Sequence, residues 1–165
     1  MKRLRLFNGL NQAELEGILK LISLRKFKNG EFIAREGEAG SEMFILLEGT
    51  MEVTQKLTLF DSDSRDFDNR DKMLIRLNPD SRPIVGEMML FEDEHTRSAT
   101  MKALGNVIVG VIKKESLLNL VRDNPNLGYT IFYNIGLVLS ARLRKANEDI
   151  LKLTTAFSLA LERGW

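Results

Sequence analysis

Cysteine is absent from the chain, which excludes disulfides, thiolate catalysis and thiolate zinc sites and fits a cytoplasmic protein. Neither sign of charge is in excess. With 24 basic and 23 acidic side chains the net charge is +1, so no overall field attracts nucleic acid. No stretch approaches the ~18 unbroken apolar residues of a membrane-spanning helix. The basic start Met1-Lys2-Arg3 lacks the apolar run and cleavage site of a signal peptide. Histidine occurs once, at His95, and no Ser-His-Asp or paired-carboxylate arrangement stands out, which argues against an enzyme. What remains is 165 residues that are 44% hydrophobic and 28% charged, the make-up of one soluble globular domain.

Along the chain, Asn11 followed by Glu14 is a helix-opening capping pair, and Leu15, Ile18, Leu19 and Ile22 then recur at helical spacing. From about Phe27 to Lys113 the pattern becomes short strands. Met51 and Val53 alternate with polar neighbours, as do Val107, Val109 and Val111. Glycines at 30, 37, 40, 49 and 86 fall between apolar runs, where turns need a residue tolerant of positive φ; of these only Gly86 is given a functional role. Many short strands with regular turns argue a sandwich or a jelly-roll barrel.

Residues 57–72 carry Asp61, Asp63, Asp66, Asp68 and Asp71. A calcium loop fails on detail, because Asp66 stands where the turn glycine belongs and Lys72 where the closing carboxylate belongs. A solvated loop between two strands is the expectation, and no metal is expected. Beyond it, Leu117, Leu118 and Val121 suggest a helix ending near Asn124, and Pro125 is suited to open the next. In that last helix Tyr129, Phe132, Gly136, Leu139, Leu143, Ala146, Ile150, Leu153, Phe157 and Ala160 keep a three-four spacing, a heptad seam. Part of the seam is expected to cover the barrel. The distal part needs a further partner, either a second copy of the chain or another domain. The expected division is residues 1–124 for the N-terminal helix and barrel and 125–165 for the long helix.

The most informative stretch is Val85-Gly86-Glu87-Met88-Met89-Leu90-Phe91, a polar turn, then Arg97-Ser98-Ala99-Thr100. A glycine ahead of a short helix leaves backbone amides free to meet an anion. Arg97 adds a permanent cation whose planar fork suits phosphate. Glu87 has the wrong sign for phosphate and makes sense beside a hydroxyl donor. The cassette fits a small anion bearing a sugar.

With Gly30-Glu31, Glu36-Gly37-Glu38-Ala39-Gly40 and Met43-Phe44-Ile45-Leu46-Leu47-Glu48-Gly49, the cassette resembles the cyclic nucleotide-binding domains of bacterial catabolite activators, kinase regulatory subunits and gated channels. The resemblance implies a mainly β fold with flanking helices: a jelly-roll β-barrel between an N-terminal helix and a long C-terminal helix. It implies a cyclic nucleotide ligand, cyclic AMP ahead of cyclic GMP, because family members selective for cyclic GMP often place Thr where Ser98 stands. The ligand-binding residues it implies are Gly86, Glu87, Met88, Arg97, Ser98 and Ala99. The long helix adds Arg142 to neutralise Glu87 and Asn147 to meet the base; the plain alternative for Asn147 is an exposed polar residue. The partners implied are the nucleotide and a second copy in a homodimer. Two other readings stay open: a fragment of a transcription regulator, whose helix-turn-helix would lie past Trp165, and a barrel serving only as a scaffold. Enzymes on related barrels gather several histidines, and His95 reads instead as an exposed turn residue.

Overall fold

Asn11 and Glu14 open the first helix as their spacing predicts. The Asn11 side chain accepts the Glu14 N–H, and the Glu14 carboxylate accepts the Asn11 N–H. Backbone donors that a helix start leaves free are thereby satisfied. The helix, α1 (Gln12–Leu19), buries Ile18. The computed structural model describes residues 4–59, 68–92 and 96–162.

The strands are β1 (Ser23–Phe27), β2 (Phe32–Ala34), β3 (Glu42–Leu59), β4 (Asp68–Leu77), β5 (Ile84–Val85) and β6 (Thr100–Lys113). They form one antiparallel sheet in the order β1–β6–β3–β4, with β2 also on β6 and β5 also on β3. This is the expected mainly β jelly-roll fold, although among the described residues the ladder ends at β1 and β4 and does not close.

Alternation along β3 divides the core in two. Met43 and Ile45 join the cluster shared with the helices, whereas Phe44 and Leu46 join the cluster inside the rolled sheet. A strand buried on both faces reads as an unbroken apolar run, which is why Met43–Leu47 shows no polar interruption. On β6, Val107, Val109 and Val111 face the inside while Ile112 turns to the helices.

The loop expected over residues 57–72 is shorter than its composition suggests. Leu57 pairs with Arg70 and Leu59 with Asp68, so both ends continue the β3–β4 ladder. Backbone pairing tolerates charged residues on strands, where they stand free of the core. The acidic residues of the rejected calcium loop fall outside the described side chains, as does His95.

Two helices follow the sheet: α2 (Lys114–Asp123) and α3 (Pro125–Glu162), the latter opened by Pro125. The face of α3 that covers the sheet differs from the expected seam. Leu127, Ile131 and Ile135 are buried, while Tyr129 and Gly136 are exposed; of the seam's early residues only Phe132 and Leu139 pack against this cluster. On a helix this rich in apolar residues, more than one stripe satisfies a three-four spacing. Asn134 lies on the buried side and donates from Nδ2 to the carbonyls of Leu6 and Asn8, at 2.9 and 2.8 Å. Past Val138 and Leu139 the helix no longer packs against the apolar core. From Ser140 to Glu162 every residue except Asp149 is exposed. At 1.5 Å per residue α3 is about 57 Å long.

Candidate functional site

Gly86 follows β5, whose pairing of Val85 with Phe44 and Ile84 with Ile45 fixes it against β3. Its φ of 77° is left-handed, a conformation that a residue with a Cβ avoids. The chain then makes a 3-10 turn, Glu87–Leu90, tighter than the expected short helix. Met89 and Leu90 anchor that turn in the helix-side cluster. Glu87 is thereby held at 2% exposure.

Arg97 is held by its backbone and by its side chain. Its N–H donates to the Glu38 carbonyl and its carbonyl accepts from Gly37, each at 2.9 Å, and Ala39 bridges Thr96. The segment Gly37–Gly40 therefore grips the stretch ahead of β6 that carries the arginine. Arg97 is 8% exposed, and its guanidinium donates from Nη1 to the Glu42 carbonyl at 2.7 Å and lies 5.1 Å from the centre of the Phe44 ring. Burial pushes its pKa down from the usual value, an effect that the charge of Glu42 opposes. An arginine keeps its charge at neutral pH through such a shift, so this is a buried cation with a carbonyl as its hydrogen-bond partner.

Two glycines make room for it. A Cβ on Gly86 would lie 2.6 Å from Arg97 Nη1, and one on Gly40 would lie 2.1 Å from Nε. Gly40 departs from the expected turn role. Gly30, Gly37, Gly49 and Gly86 have positive φ and Gly40 does not; it is required by the close approach of Arg97. Gly40 was legible as part of the Glu36–Gly40 motif, but nothing local signals that an arginine far along the chain will press against it.

Arg142 reaches in from α3. It pairs with Glu87 Oε1 and donates to the Ile84 carbonyl. Glu87 Oε2 is buried and has no hydrogen-bond partner among the described residues. Such an oxygen costs about 1–3 kcal/mol, which an incoming hydroxyl would recover.

Gly86, Glu87, Met88, Arg97, Ser98, Ala99 and Arg142 line one cavity of about 130 Å³. Asn147 does not line it and stands exposed on α3. Gly40, Val53, Glu92, Thr96 and Met101, which the sequence did not single out as site residues, complete much of the wall. A larger cleft of about 500 Å³ also reaches Arg97 but holds none of the other cassette residues. Among the described residues, no group of acidic or histidine side chains is arranged to hold a metal ion, and no helix is long and apolar enough to cross a membrane.

The family described as "Cyclic nucleotide-binding domain" matches residues 24–124. The CRP-like cAMP-activated global transcriptional regulator of Mycobacterium tuberculosis is 21% identical over 153 residues, covering 93% of this chain and 61% of that protein. The cyclic AMP receptor protein of Thermus thermophilus is 27% identical over 150 residues, covering 91% and 62%. The chain thus spans about three fifths of the length of these curated relatives. Among solved structures, a cyclic nucleotide-binding domain from Methylobacillus flagellatus superposes with a TM-score of 0.74 at 20% identity. It covers 88% of this chain and 75% of that one, a likeness of fold.

Proposed function

This chain belongs to the cyclic nucleotide-binding domain family, and on that footing we propose that it is a non-catalytic cytoplasmic sensor of a cyclic nucleotide, cyclic AMP ahead of cyclic GMP. The observation that carries the reading is the shared cavity. One wall presents a buried guanidinium whose hydrogen-bond partner is a backbone carbonyl, and another presents a buried carboxylate oxygen with no partner. A cyclic phosphate answers the first and a ribose 2′-hydroxyl the second. Gly86, Met88, Ser98 and Ala99 bound the ligand in this reading. Residues 1–124 form the binding unit, and residues 125–165 act as lid and dimerisation helix. Arg142 ties the ligand to that helix, because the Glu87 it grips is the group that meets the sugar. Ligand energy then biases helix position.

A melting-temperature comparison tests this directly. At a hundredfold excess over the dissociation constant, cyclic AMP is expected to stabilise the fold by about 2.7 kcal/mol, and the 2′-deoxy analogue by less. In Glu87→Gln the gap between the two nucleotides is expected to shrink. A wild-type protein that neither cyclic AMP nor cyclic GMP stabilises would overturn the assignment.

The distal half of α3 supplies the homodimer contact. Leu143, Ile150, Leu153 and Phe157 are each more than 60% exposed and continue the seam's three-four spacing. An apolar stripe of this length in water asks for cover. A second copy in parallel register supplies it and brings Asn147 of each chain to the base. The double variant Leu143→Glu/Ile150→Glu is expected to sediment as a monomer at concentrations where the wild type is a dimer. A wild type that is monomeric throughout would remove the dimer.

A second reading is favoured by the similarity to a cAMP-activated transcriptional regulator: the sensing portion of a transcription regulator. It keeps the same site and changes only the output.

A further inference from the structure

Glu42, at the start of β3, offers Arg97 two different acceptors. Its backbone carbonyl takes the Arg97 Nη1–H at 2.7 Å. Glu42 also lines the larger cleft, as do Arg97, Glu38, Lys113 and Glu115. The Glu42 carboxylate is close enough for its charge to be felt at the guanidinium.

A forked carboxylate is a better partner for a guanidinium than a lone carbonyl, because it accepts two parallel N–H bonds. Left to itself, the Glu42 side chain would compete for the donors that a phosphate needs. It is not left to itself. Arg25, on β1, donates from Nη1 to Glu42 Oε2 at 2.8 Å and from Nη2 to Glu42 Oε1, so both carboxylate oxygens are engaged. β1 lies on the far side of β6 from β3, so the restraint crosses a whole strand and is fixed by the sheet.

We propose that Arg25 is a positioning residue for anion recognition: its two-pronged hold on the Glu42 carboxylate keeps that group off Arg97 and leaves the guanidinium free for the ligand's phosphate. This rests on reading Arg97 as the phosphate-binding group. It differs from a role in stability alone, for removing a merely stabilising surface pair would lower the melting temperature and leave Arg97 undisturbed.

The test pairs two measurements on wild type, Arg25→Gln and Arg25→Gln/Glu42→Gln. Calorimetric titration with cyclic AMP is expected to show affinity falling about fivefold in the single variant, the scale of one partly exposed ion pair. In the double variant affinity is expected to return to near the wild-type value. Without ligand, nitrogen-15 spectra of the guanidinium are expected to show the Arg97 Nε–H resonance displaced in the single variant and restored in the double. An undisplaced resonance in Arg25→Gln overturns the proposal. So does a displacement or a loss of affinity that survives removal of the Glu42 charge. Should no protein in the series bind cyclic AMP while the resonance still shifts and returns, the hold on Glu42 stands and the cyclic nucleotide assignment is what falls.

Discussion

Gly40→Ala is expected to leave the protein folded while weakening cyclic AMP binding by on the order of tenfold to a hundredfold, close to the loss expected for Arg97→Ala. The new methyl group would meet Arg97 Nε at 2.1 Å, Cζ at 2.5 Å and Nη2 at 2.6 Å. These atoms form the far end of a flexible side chain, and Gly40 lacks the positive φ that would strain an alanine. The clash is therefore relieved by displacing the guanidinium, at little expense to the backbone. The displaced group is the one assigned to the phosphate, and a charge-assisted contact contributes about 1.5–3 kcal/mol. Calorimetry beside a thermal melt separates the two effects. Wild-type affinity in Gly40→Ala would mean that the ligand does not depend on where Arg97 sits.

Ile131→Ala is expected to destabilise the fold by about 2–5 kcal/mol. Ile131 is fully buried on α3 and belongs to a cluster with Leu6, Ile18, Leu117 and Leu127. It lies where Leu6, α1, α2 and α3 share one apolar interior, which cannot collapse around a missing side chain without moving several elements together. A denaturant midpoint with unchanged slope reads the loss. A change below about 1 kcal/mol would show that the helix covers the sheet through other residues. Because total stability of such a domain is about 5–15 kcal/mol, this one truncation removes a large share of it.

Much of the site was legible in the sequence. Gly86, Glu87 and Arg97 stood out together within the surrounding glycine and apolar framework, and they line one cavity; Arg142 was assigned to Glu87, with which it pairs. Helix ends were legible because Asn11 with Glu14 and Pro125 act through their nearest neighbours. What was hidden depends on contacts distant in sequence. Gly40 looks like any turn glycine until Arg97 is folded against it. The Arg25–Glu42 pair joins residues two strands apart in the sheet and has no local pattern. On α3 the difficulty was excess rather than want of signal, since Tyr129 and Ile131 both start apolar stripes at helical spacing and packing decides that Ile131 turns inward. Residues 57–59 and 68–72 read as loop because the acidic composition of the whole stretch suggests a solvated segment, whereas strand pairing there runs through the backbone.

Asn134 holds two carbonyls belonging to the opening turn of the polypeptide, 128 and 126 positions upstream. The beginning of the chain is thus stitched to the long helix, and neither can be shifted without unpicking the other. A fluorescent probe near Asn8 would register displacement of the long helix from the far end of the primary sequence, without touching the cavity beside Arg97.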